Sequence, residues 1–64
     1  MKRKLLLKYL EENECTLYRE GSNHAIYRNL ITGKKTSVPR HADIVETTAF
    51  DICKQLGIPK VKIN

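Results

Sequence analysis

A chain of 64 residues with a formal net charge of +5 and a sequence pI near 9.5 is one thin-cored domain suited to anionic partners. So small a core has no room for a large enclosed pocket, which argues against a cofactor enzyme and for chemistry on a surface groove. No apolar run approaches membrane-spanning length, since Leu5-Leu6-Leu7 is broken by Lys8, and no signal peptide is expected, so the sequence predicts a cytoplasmic protein.

The chain reads as one domain over residues 1–64, without repeat or linker. Lys2 to Glu12 predicts a helix, with Leu6, Tyr9 and Leu10 at i, i+3 and i+4 and Leu5 beside them. Asn13 is expected to close it in the left-handed conformation that helix ends often need. Cys15 to Arg19 is rich in β-formers and predicts a strand, and Gly21-Ser22 marks a turn. His24 to Asn29 predicts a second strand, Thr32-Gly33-Lys34 a turn, and Lys35 to Val38 a third strand stopped by Pro39. Ala49, Ile52, Cys53 and Leu56 then make the buried stripe of a second helix. Thr48 followed by Asp51 suggests a capping-box start, and Gly57 with Pro59 a stop. The tail Lys60-Val61-Lys62-Ile63 alternates, as an edge strand would, but is equally compatible with disorder. Cys15 and Cys53 lack metal or redox spacing and are expected to be buried free thiols.

The order helix, three-stranded meander, helix turns into a geometric expectation. A four-residue loop at Leu30–Gly33 sets Asn29 opposite Lys34 and pairs Arg28 with Lys35, Tyr27 with Thr36 and Ile26 with Ser37. Alternation then places Ala25, Tyr27, Thr36 and Val38 under the helices, and His24, Ile26, Arg28, Lys35 and Ser37 on the open face. The face taken by Tyr18 stays open, because no recognisable turn fixes the register of the first strand against the second.

Charge marks the same region. Gly21 to Ala42 contains no Asp or Glu but carries Arg28, Lys34, Lys35 and Arg40. A histidine, His24, emerging from the Gly21-Ser22-Asn23 turn onto this surface suits a polyanion that is both held and attacked. Histidine's ordinary pKa, about 6.5, lets it move a proton near neutrality. RNA supplies its own nucleophile, the 2′-hydroxyl, so a base such as His24 can cut it without a metal. Arg28 and Lys35 would then stabilise phosphoryl charge, with His41 or a tyrosine as a possible acid. No cluster with metal-ligand spacing and no phosphate-binding glycine loop is present in the sequence, so no metal or cofactor is expected.

Gly21-Ser22-Asn23-His24, an apolar strand, Val38-Pro39-Arg40-His41 and a helix ending in Ile52-Cys53-Lys54-Gln55-Leu56-Gly57-Ile58 together resemble the HicA family of toxin mRNA interferases. The resemblance implies a double-stranded-RNA-binding-domain-like α+β fold of α-β-β-β-α order, with a three-stranded antiparallel sheet covered on one face by two helices. It implies cleavage of mRNA, an inhibitory HicB-type antitoxin, a catalytic histidine at His24, and turn residues at Gly21 and Ser22. Two places depart from the family pattern: Asn13-Glu14 where glycine is common, and Thr47-Thr48-Ala49-Phe50 where the second helix often opens with a cation. The runner-up reading is a non-catalytic RNA-binding module, and a third is a protein-interaction partner without activity.

Overall fold

A computed structural model describes residues 1–62. Its elements run α1 (Arg3–Glu12), β1 (Cys15–Glu20), β2 (His24–Asn29), β3 (Lys35–Pro39) and α2 (Glu46–Leu56). The strands form one antiparallel sheet in the order β1-β2-β3, as the meander reading expects. The predicted pairings Arg28–Lys35, Tyr27–Thr36 and Ile26–Ser37 all occur. The four-residue loop between them closes through Asn29 N–H to the Lys34 carbonyl and Gly33 N–H to the Asn29 carbonyl, each 2.8 Å. Gly33 has φ 79°, a left-handed conformation that most side chains would strain.

Both helices cover the same sheet face, α1 over β1 and α2 over β3. Leu6, Leu10, Ala49, Ile52, Cys53 and Leu56 from the helices join Cys15, Ala25, Tyr27 and Val38 from the sheet in one core. Among the described residues two buried polar side chains, Asn29 and Thr36, lie in that layer, and both are satisfied. Thr36 donates to Oε1 of Gln55, and Asn29 donates from Nδ2 to the Leu56 carbonyl at 2.8 Å. Cys15 and Cys53 are buried free thiols. Phe50 packs at the margin of the core, with the Lys60 ammonium 4.3 Å from its ring centre. No helix among the described residues is long and apolar enough to cross a membrane.

Three local expectations need correction. Asn13 is not the left-handed residue; its φ is −108°, and Glu14 takes the left-handed turn at φ 63°. Asn13 still closes α1, because its side-chain amide donates to the Tyr9 carbonyl at 2.9 Å. Thr48 is not the cap of α2 either. Val45 precedes the first helical residue, without a side-chain cap, and Thr48 lies inside the first turn. The start is set by tertiary anchoring: Ile44 is buried and its N–H donates to the Met1 carbonyl at 2.8 Å, so the helix begins just beyond that tie. In the tail, Val61 is buried against the core without joining the sheet, and Ile63 lies outside the described residues.

Candidate functional site

The sheet face away from the helices carries the candidate site. Alternation along β2 and β3 leaves His24, Lys35 and Ser37 exposed and Ile26 and Arg28 half-buried on that face. Glu20 pairs with the inward Ala25, so the residues this face receives from the three strands include no carboxylate. Cations on it, Arg28 and Lys35 among them, have no strand carboxylate beside them to match their charge. Tyr27 lies on the opposite side, where burial pushes its phenol up from the ordinary value and removes it as a proton donor to the groove.

The turn that presents His24 is braced on both sides. Gly21 N–H donates to the His24 carbonyl at 2.8 Å. A Cβ at position 21 would stand 3.2 Å from that same oxygen, so the close approach favours glycine. Arg40 reaches back from beyond β3 and donates from Nε to the Gly21 carbonyl at 3.2 Å. Its Nη2 also sits 3.4 Å from Oε1 of Glu20. Arg40 is thus engaged with the turn, and Glu20, just outside the acid-free segment, is what the fold sets against it. Ser22 is exposed in the turn.

The fold places the expected residues in two groups. His24 pairs with Pro39 at one end of β2, and Arg40 and the exposed His41 follow directly on β3's exit from that end. Arg28 and Lys35 face each other at the other end. At roughly 3.3 Å per residue the Arg28 Cα is about 13 Å along the strand from that of His24. Charge at the two ends therefore acts on different parts of an extended ligand.

Two residues that sequence reading did not assign to the face are brought there by a β-bulge. Six residues of β1, Cys15 to Glu20, oppose five of β2, Ala25 to Asn29, and the register shifts between Leu17 and Arg19. The ends are tied, by Leu30 N–H to the Glu14 carbonyl at one and by the Gly21 turn at the other, so the surplus residue must be absorbed inside the strand. Tyr18 is that residue. Beyond it Arg19 pairs with Ile26 and shares its outward face, diagonally adjacent to His24. In unbroken alternation Arg19 would have shared the inward face of Leu17. The signal in the sequence was the mismatch in strand lengths, visible only once both strand ends are known.

Tyr18 is half exposed, at 49%, and its ring gathers the far group. The Arg28 guanidinium carbon lies 5.0 Å from the ring centre and the Lys35 ammonium 4.6 Å. Among the described residues no group of His, Cys, Asp and Glu side chains is arranged to hold a metal ion. On the helix side, Lys2, Arg3, Lys4 and Arg40 line an open cleft of about 450 Å³ with Ala42 and Asp43.

A family model described as the HicA toxin of bacterial toxin–antitoxin systems matches residues 3–58, from the start of α1 to just past α2. The chain belongs to the HicA toxin family. No curated protein and no solved structure matches it. Family membership makes this chain a toxin component with a cognate antitoxin as partner. The HicA match spans every element that builds the outer face, including the His24 turn and the Arg40 brace.

Proposed function

We propose that this HicA toxin is an endoribonuclease that cuts mRNA in the cytoplasm without a metal, with His24 as general base. The observation that carries the reading is an exposed histidine, held by a braced turn, on a cationic sheet face that the strands leave free of carboxylates. His24 takes the proton from a ribose 2′-hydroxyl, and that oxygen attacks the adjacent phosphorus in line. The bond from phosphorus to the 5′-oxygen breaks as an acid delivers a proton to the departing oxygen. The products are a 2′,3′-cyclic phosphate and a 5′-hydroxyl.

Position divides the cationic work. Arg19, diagonal to His24, is placed to stabilise the phosphoryl oxygens at the reacting centre. Arg28 and Lys35, farther along the sheet, hold flanking phosphates, and His41 is the candidate acid at the near end. Gly21, Ser22 and Arg40 shape and brace the turn. A HicB-type antitoxin that lays acidic groups across this face would cover His24 and satisfy the same cations. Lys35→Glu should then weaken antitoxin binding, whereas Phe50, packed at the core margin, is at most a secondary contact.

The decisive experiment compares RNA cleavage by wild type and His24→Ala. Loss of a general base should lower the rate by about 10²–10⁴-fold while RNA binding and folding persist. EDTA should leave the wild-type rate unchanged. Equal cutting by His24→Ala removes His24 from the chemistry, and loss of cutting in EDTA rejects the metal-free route. Binding without cleavage by the wild type would favour the RNA-binding module instead.

A further inference from the structure

We propose that Tyr18 is a stacking platform for one nucleobase of the bound RNA, with Arg28 and Lys35 taking the phosphates on either side of that base. The inference rests on the RNA-cleaving reading and adds a binding subsite away from the scissile bond.

Three observations carry it. The bulge gives Tyr18 a place on the outer face that regular pairing alone would not fix, and it leaves the residue without a cross-strand partner of its own. The residue is half exposed and belongs neither to the core nor to the side chains packed against it, so the hydrophobic core does not account for its placement. Lys35 stands on β3, about 10 Å from β1 at the usual strand spacing. An approach of 4.6 Å between its ammonium and the Tyr18 ring therefore brings the two side chains together over β2, where Arg28 meets the ring at 5.0 Å.

An aromatic ring with two cations within 5.0 Å of its centre offers a nucleotide both things it presents. The base finds a π-face, and the phosphates find an ammonium and a guanidinium already held at that ring. A duplex keeps its bases stacked on one another, so the platform serves unpaired RNA. His24 lies roughly 13 Å along β2. The base on Tyr18 thus belongs to a nucleotide flanking the one that is cut, and the subsite sets where along the strand the cut falls.

The test uses the full chain and short 2′-O-methyl RNA oligonucleotides, which lack the attacking hydroxyl and so report binding alone. Tyr18→Ala should weaken binding of the single strand by about 5- to 150-fold, with little change in salt slope, whereas Tyr18→Phe should keep the affinity. Oligonucleotides lacking one base at successive positions should reveal one position where wild type loses affinity and Tyr18→Ala loses nothing further. Thermal melts of each variant verify that the sheet is intact. Unchanged affinity in Tyr18→Ala, or identical losses at every abasic position in both proteins, overturns the platform while leaving the ribonuclease reading in place. Failure of the wild type to bind any of these RNAs overturns both.

Discussion

The Arg40 guanidinium donates from Nε to the carbonyl of Gly21, tying the exit of β3 to the turn that presents His24. The same side chain meets Glu20 at 3.4 Å, so its charge is partly matched before any ligand arrives. Such an exposed pair contributes at most about 1 kcal/mol to stability. Its consequence is positional. Arg40→Ala should lower RNA cleavage by about 10- to 100-fold, the scale of loss that a small misplacement of a reacting group causes. Single-turnover rates and binding isotherms separate the possibilities: loss of affinity at unchanged turnover would make Arg40 a phosphate ligand and not a brace.

Asn29 joins three parts of the fold that sequence reading treated separately. Its buried side chain donates to the Leu56 carbonyl at 2.8 Å and accepts from Ile31 N–H at 2.9 Å and Thr32 N–H at 3.3 Å. One amide thus fixes the β2–β3 loop and holds it to the end of α2. Asn29→Ala should cost about 2–3 kcal/mol, because a buried carbonyl and two loop amides lose their partner. In a domain this small that is much of the total stability, roughly 3–5 kcal/mol. Asn29→Asp can still accept from the loop but cannot donate to Leu56, so it should also destabilise. Urea titrations of both variants measure the effect, and an Asp variant as stable as wild type would show that the tie to α2 contributes nothing.

Elements with strong local signals were legible before the fold was known. The hairpin at Leu30–Gly33 fixed its own register, which is why Tyr27 and Thr36 fell on the covered face and Arg28 and Lys35 on the open one. The buried stripe of α2 was equally plain, and so was its Gly57 end, left-handed at φ 73°. What escaped depended on tertiary constraint. A bulge forms at Tyr18 because both ends of the β1–β2 pairing are tied, and no local residue preference announces it. Val45 starts α2 because Ile44 is anchored to Met1, overriding the better cap at Thr48. The brace from Arg40 to Gly21 joins residues 19 positions apart and needed the sheet to bring them together.

Glu14 carries a strain that substitution should relieve. It follows α1 at φ 63°, where a Cβ crowds the carbonyl and glycine does not. Glu14→Gly should raise stability by about 1 kcal/mol and the melting temperature by about 4–8 °C. Glu14→Ala is the control, since alanine keeps the Cβ and therefore the strain. Calorimetry of the three proteins decides it; equal gains from Gly and Ala would assign the effect to the lost charge.

Alkaline pH should unfold the domain through its thiols. Burial pushes Cys15 up from the ordinary value of 9.0, with the neighbouring Cys53 adding to the rise, and burial likewise pushes Cys53 up. Tyr27 is raised above 10.0, again chiefly by burial. In each case the folded state holds the proton more tightly than the unfolded chain. The stabilisation is fully present below the unfolded value and is lost as pH climbs through the folded one. Melting temperature should therefore hold from neutrality up to the thiol range and then fall steadily above a pH of about 9. Cys53→Ala leaves a small void and lowers the starting stability, so the informative quantity is the slope with pH. That slope should be shallower than in wild type, because one proton-binding difference between the folded and unfolded states has been removed. Parallel slopes across the alkaline range would mean that the buried thiol is not what limits stability there.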